Sequence, residues 1–202
     1  MAKTKAPTKR MTYQEFLSWC DEDTWAEWVD GEVVMVTPAS DRHQDLVRFL
    51  IQVLGTYVEA KALGVVRPAP FQMYLPELRR GREPDFMFIA SGHLDRLKDR
   101  YLEGPADLVV EIVSPESRLR DRGEKYAEYE LAGVPEYWLI DPELQRADFY
   151  VLDKTGRFRL MDLEPEGVFR SQAIPGFSLK SEWLWQEPLP KVLEVLKELG
   201  VI

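Results

Sequence analysis

Two carboxylates stand inside sequence that otherwise reads as buried sheet. Asp85 follows Glu83-Pro84 at the start of one apolar run, and Glu111 lies within Asp107-Leu108-Val109-Val110-Glu111-Ile112-Val113. An ionised carboxylate in such a place costs several kcal/mol or more unless positive charge sits beside it. A divalent cation and Lys125, from the polar stretch Arg118 to Lys125, would supply that charge. Phosphodiester hydrolysis calls for such a kit. A water must lose a proton, charge builds on the phosphoryl oxygens, and the leaving oxygen must be stabilised; bound magnesium assists all three. Two acidic ligands suffice because magnesium keeps several of its waters. A nearby lysine orients the water or offsets the developing charge.

Strand periodicity decides which acids can cooperate. Glu83 and Asp85 are two apart and share a sheet face. Asp107 and Glu111 also share a face, but at about 3.3 Å per residue they lie about 13 Å apart, too far to hold one ion. Glu111 sits deeper in its apolar run and is the candidate ligand; Asp107 marks the strand entry. Asp121 precedes Lys125 by four residues, on one helix face, and could hold its ammonium. His43 falls in the first turn of a helix, near the positive end of its dipole. Structural readings stand beside these. Asp85 could be a strand-start acid and Glu111 the partner of a buried arginine. Lys125 with Glu124 and Glu128 could be a solvated helix face, and His43 a surface or helix-start residue. Tyr126 and Tyr129 read as core aromatics. Glu32, after a hairpin turn, reads as a turn-flanking acid more readily than as a third ligand.

The elements that must position these residues follow from pattern. Thr12 and Glu15 form a capping box for a short helix through Cys20. Asp30-Gly31 between Trp25–Val29 and Glu32–Val36 signals a hairpin, stopped by Thr37-Pro38. Ser40 caps a helix from Asp41 to about Lys61, with Leu46, Val47, Leu50, Val53, Leu54, Tyr57 and Val58 as its buried stripe. Gly64–Arg67, Phe71–Tyr74 and Glu83–Ile89 read as strands, and Ser91–Tyr101 as a short helix. Leu108–Val113 and Tyr137–Ile140 have the continuous apolar character of central strands, and a helix from about Ser117 to Leu131, closed by Gly133, joins them. Ala147–Leu152 and Phe158–Met161 form a second hairpin, Ser171–Ile174 an edge strand, and Leu189–Leu199 a final helix. The fold class is α/β, a mixed sheet with helices on both sides.

Composition sets the frame. The 202 residues, 45% hydrophobic and 30% charged, suit one soluble domain. Residues 1–11 are expected to be a disordered basic lead-in to a domain spanning 12–202. No apolar stretch approaches a membrane span of about 18 residues, and Met1–Arg10 lacks the apolar core of a secretory signal. Cys20 is the one cysteine, which fits a cytoplasmic location and excludes Cys-based zinc. With only His43 and His93 besides, oxygen ligands remain, and hence magnesium or manganese. The net charge of −9 argues against binding nucleic acid by bulk charge. Local clusters (Arg79, Arg80 and Arg82; Arg96, Lys98 and Arg100; Arg118, Arg120 and Arg122) each read singly as solvated faces.

Taken together, the motifs resemble a known family. Asp30-Gly31-Glu32, the helix start at Ser40, Glu83-Pro84-Asp85, Asp107 through Pro115, Asp121 with Gly123-Glu124-Lys125, and Gly133-Val134-Pro135-Glu136-Tyr137-Trp138 are similar in order and spacing to the Uma2 family. That family, formerly a domain of unknown function, is assigned to bacterial endonucleases of the PD-(D/E)XK superfamily. The resemblance covers roughly Tyr13 to Leu152. It implies a restriction-endonuclease-like mixed sheet flanked by helices, here with an added N-terminal hairpin and a C-terminal hairpin and helix. It also implies metal ligation by Asp85 and Glu111, with the Ile112 carbonyl as a further ligand. The superfamily lysine belongs two residues after the second acid, where this chain has Val113; Lys125 matches the lysine that takes over in the family.

The leading expectation is therefore a magnesium-dependent endonuclease acting on nucleic acid, with DNA as substrate, and a homodimer if both strands are cut. A rival expectation is a nuclease-fold interaction protein that has lost its chemistry, favoured by Val113 and the acidic surface. Hydrolysis of some other phosphate compound is a third. No helix-turn-helix or zinc module is visible to supply sequence specificity.

Overall fold

The computed structural model describes residues 6–21, 24–36, 39–115 and 117–202. Thr12 accepts the Glu15 amide and Glu15 accepts the Thr12 amide, a reciprocal cap that starts α1 (Tyr13–Trp19). Asp30 and Gly31, both at positive φ, turn β1 (Ala26–Val29) into β2 (Glu32–Met35). Ser40 caps α2 (Asp41–Ala60) through the His43 amide. Then follow β3 (Gly64–Pro68), β4 (Gln72–Leu75), β5 (Arg80–Arg82), β6 (Phe86–Ala90), β7 (Tyr101–Glu103) and β8 (Leu108–Ile112). A π-helical turn, Arg120–Lys125, runs into α3 (Tyr126–Ala132), which Gly133 closes at φ 80°. The chain continues through β9 (Glu136–Asp141), β10 (Arg146–Leu152), β11 (Phe158–Leu160), β12 (Val168–Arg170), β13 (Ser178–Lys180) and α4 (Val192–Glu198).

The main sheet has the order β11-β10-β9-β8-β6-β3 and is antiparallel except for the central β8–β9 pair. Alternate residues of its strands face opposite cores. Phe86, Phe88, Val110, Ile112, Trp138 and Ile140 pack with the apolar stripe of α2 and with the C-terminal segment. Met87, Ile89, Val109, Val113, Tyr137 and Leu139 pack with Tyr129 of α3 and with Met73 and Leu75 of a second sheet, ordered β2-β1-β5-β4-β7. That second sheet lies over the side of the main sheet to which Asp85 and Glu111 belong by alternation. The functional groups are thus enclosed between two sheets and α3.

The mixed α/β architecture with flanking helices agrees with the expectation, and the differences are local. The strand expected over Glu83–Ile89 begins at Phe86, because Arg80–Arg82 pairs in the second sheet and residues 83–85 cross between sheets. The helix expected over Ser117–Leu131 is split, its first half wound as the π turn. Ser91–Tyr101 is a 3₁₀ segment, Ser91–Arg96, followed by β7. Ser171–Ile174 is no strand: the Gln172 and Ala173 amides donate to the Glu136 carboxylate, and the strands lie on either side as β12 and β13. The final helix is shorter than Leu189–Leu199. The expected stop at Thr37-Pro38 and residues 1–5 of the basic lead-in lie outside the described residues. Met11 donates to the Gly31 carbonyl at 2.8 Å, and Arg10 pairs with Glu32. Among the described residues no helix is long and apolar enough to cross a membrane.

Candidate active site

The antiparallel register Phe86↔Val110, extended by one pair, sets Asp85 opposite Glu111. Asp85 Oδ2 accepts the Ile112 amide at 2.6 Å, which ties the residue before β6 to the end of β8. Its Oδ1 lies 3.2 Å from His43 Nε2, delivered by the first turn of α2. Glu111 Oε1 accepts from Lys125 Nζ at 2.8 Å and from the Tyr129 hydroxyl at 2.7 Å. Lys125 Nζ is also 3.2 Å from Glu27 Oε1 and 3.6 Å from Asp121 Oδ1. Behind Glu27 stands Arg82, whose guanidinium donates to Glu27 at 2.8 Å and to Glu128 of α3 at 2.7 and 2.9 Å. These groups surround a pocket of about 110 Å³ whose wall includes Glu27, His43, Glu83, Asp85, Glu111, Asp121 and Lys125.

Five carboxylates, Glu27, Glu83, Asp85, Glu111 and Asp121, outnumber Lys125 and Arg120 in the pocket wall. Burial and the neighbouring charges set the directions in which Glu27, Glu83 and Glu111 shift. Burial pushes Glu27 up, but Lys125, Arg82 and Arg120 outweigh it and hold the acid down at about 2. Glu83 goes the other way: burial and the neighbouring Glu27 charge push it up to about 7. Burial, with Asp121 and Asp85 nearby, also pushes Glu111 well up despite Lys125. Burial alone would discharge Lys125; Glu111, Glu27 and Asp121 reverse that and keep it protonated. Burial likewise opposes a charge on His43, but the Asp85 carboxylate and the Ile112 backbone raise its pKa.

The pocket fits a hard divalent cation. Its donors are carboxylate oxygens, and their charge exceeds what the protein's own cations neutralise. Among the described residues no three His, Cys, Asp or Glu side chains converge as a closed cage. Two carboxylates completed by water suit magnesium or manganese rather than structural zinc. Glu111 Oε1 is engaged by Lys125 and Tyr129, which leaves Oε2 for an ion.

The sequence profile of the Uma2 family, described as "Putative restriction endonuclease", matches residues 13–182. The chain belongs to the Uma2 family. Among solved structures, it is similar to a protein from Anabaena variabilis ATCC 29413 titled as a putative nuclease belonging to DUF820. The TM-score is 0.72 at 17% identity, covering 87% of this chain and 97% of that one. No functionally curated protein matches the chain. In this Uma2 chain the position two residues after Glu111 is filled by Val113, packed in the core shared with α3, and the ammonium arrives from the helix instead.

Of the residues singled out from sequence, Asp85, Glu111, Lys125, Asp121 and His43 line one pocket, and the Ile112 backbone borders it. Glu32 does not join them. It lies on the exposed side of the hairpin and pairs with Arg10 at 2.8 Å, so the acid contributed by the hairpin is Glu27. Glu27 went unmarked because Ala26-Glu27-Trp28-Val29 reads as ordinary strand alternation, with the acid toward solvent. Tyr129 is the expected core aromatic, but its hydroxyl is spent on Glu111.

Proposed function

We propose that this chain is a magnesium-dependent endonuclease that hydrolyses phosphodiester bonds of DNA. The observation that carries the reading is the pairing of Asp85 and Glu111 on adjacent strands with Lys125 Nζ 2.8 Å from Glu111. Asp85, Glu111 and the Ile112 carbonyl would hold the ion, magnesium or manganese. When bound, it polarises the phosphoryl group and acidifies water. The chain's own residues do the rest. His43 Nε2 and the Ile112 amide fix the two Asp85 oxygens. Lys125 and the Tyr129 hydroxyl fix Glu111 Oε1, and Lys125 steadies charge that develops beside this carboxylate. Glu27 and Asp121 hold the ammonium in place. Cleavage of both strands of a duplex would bring two such pockets together in a homodimer.

One observation favours a second reading, a catalytically degenerate interaction protein: Lys125 is only 3% exposed and hemmed in by carboxylates. Incubation of supercoiled plasmid with magnesium or manganese separates the two. The wild type is expected to nick or linearise it, and Asp85→Asn and Glu111→Gln to do so at least about a thousandfold more slowly, a loss of about 4 kcal/mol. Magnesium should also raise the melting temperature of the wild type but not of Glu111→Gln. Absence of cleavage in all three proteins, with no magnesium-dependent melting shift, overturns the nuclease reading.

A further inference from the structure

Lys125 is walled in by carboxylates and only 3% exposed, poorly placed to reach a phosphate. Its ammonium donates to Glu111 at 2.8 Å and forms ion pairs with Glu27 and Asp121 at 3.2 and 3.6 Å. Arg82 is equally committed, 1% exposed and shared between Glu27 and Glu128. A DNA backbone entering this pocket would meet carboxylates on every side and needs a cation that is still available.

Arg120 is such a cation. It lines the pocket, its Nε is buried, and among the described residues it has neither a hydrogen-bond partner for that atom nor an ion pair. Its neighbours in the same basic run are different. Arg118 binds Asp141 and Glu143, and Arg122 binds Asp148 and Asp141. The backbone explains the contrast. In an α-helix, at about 100° per residue, side chains five apart diverge by about 140°. The π turn Arg120–Lys125 bonds i to i+5 and so stacks Arg120 and Lys125 on one side. The widened turn turns one arginine of the three inward.

We propose that Arg120 is the phosphate-binding residue of this site, its guanidinium holding non-bridging oxygens of the DNA backbone beside the Asp85–Glu111 pair. A planar guanidinium offers paired donors that match a phosphate, and its charge cannot be titrated away. The assignment rests on the nuclease reading, to which it adds the group that takes the substrate's charge. It divides the cationic work: Lys125 serves the carboxylates and Arg120 serves the phosphodiester.

The test is binding of a fluorescently labelled DNA duplex by anisotropy, with calcium in place of magnesium, across about 50 to 200 mM salt. Arg120→Gln is expected to weaken binding about tenfold and to reduce the slope of log K against log salt by about one. Arg120→Lys should restore the slope but only part of the affinity. Arg159→Gln, which removes an exposed partner of Asp153, should change neither. Melting curves confirm that each variant is folded. If Arg120→Gln, folded, keeps the wild-type affinity and slope, the assignment is overturned while the nuclease reading stands. If the wild type itself fails to bind DNA, the nuclease reading falls and takes the assignment with it.

Discussion

Glu111 and Glu136 are both buried carboxylates on the two central strands, and they are treated in opposite ways. Glu136 is fully enclosed, and four neutral donors converge on it: the Trp138 indole at 2.6 Å, the Ser171 hydroxyl at 2.8 Å, and the Gln172 and Ala173 amides at 2.6 and 2.9 Å. Burial raises its pKa and those bonds oppose the rise, with no cation paired to it among the described residues. On the other face of the sheet Glu111 has one amine and one phenol on a single oxygen, with Asp121 and Glu27 crowding the same ammonium and the Asp85 charge close by. A carboxylate that locks the C-terminal loop to the sheet is given a donor for every lone pair that matters. A carboxylate meant to receive something is left short of positive charge.

The sharpest way to break this comparison is at Glu136. Glu136→Ala strands four donors and opens a cavity, and should destabilise the protein by about 3 kcal/mol or more, lowering Tm by roughly 6–12 °C. Magnesium should neither worsen nor relieve that loss. Thermal denaturation with and without the ion measures both, and a magnesium-sensitive loss would erase the distinction.

A smaller effect is expected from pH. Glu83 is raised from 4.5 to about 7, so its contribution to metal-free stability is complete below 4.5 and is lost as pH rises through about 7. Glu111 moves in the same direction. Glu27, lowered to about 2, contributes above 4.5 and loses that contribution only as pH falls toward about 2. The metal-free Tm should therefore fall by a few degrees as pH climbs through neutrality. Magnesium, or Glu83→Gln, should flatten the fall. A flat profile in the metal-free wild type would show that the carboxylates are not crowded as described.

The smallest effect belongs to Glu32→Gln. The exposed Arg10–Glu32 pair predicts a change within about 0.5 kcal/mol in both stability and cleavage. A large loss of cleavage would return Glu32 to the site.

The sequence made some of this legible for definite reasons. Asp85 and Glu111 stood out because they interrupt apolar runs; that they meet on one face comes from the antiparallel register of β6 and β8, which no pattern within either strand encodes. Lys125 was legible through the family pattern alone, since a lysine between two glutamates on a polar helix carries no signal of burial. Glu27 and Arg82 were hidden because their partners are distant in sequence: the hairpin acid meets an arginine 55 residues on and a lysine from another element. No local pattern encodes such a meeting. The Ser171–Ile174 segment misled because a β-like composition served to present amides to Glu136. The division of the strands between two sheets was likewise invisible, since each strand's pattern records how it is covered and not which neighbour it pairs with.

The wide turn from Arg120 to Lys125 ties the length of this segment to the way it is wound. Lys125 is anchored from downstream, where α3 is strapped by Tyr129 to Glu111 and by Glu128 to Arg82. Excising a residue such as Gly123 would close the wide turn to an ordinary α turn in which Arg120 stands four steps before Lys125, about 40° away and still on its side. Winding the same residues as an α-helix with none removed would instead carry Arg120 about 140° from the amine. A relative one residue shorter here can keep both cations on one pocket, whereas one of equal length wound as an α-helix cannot.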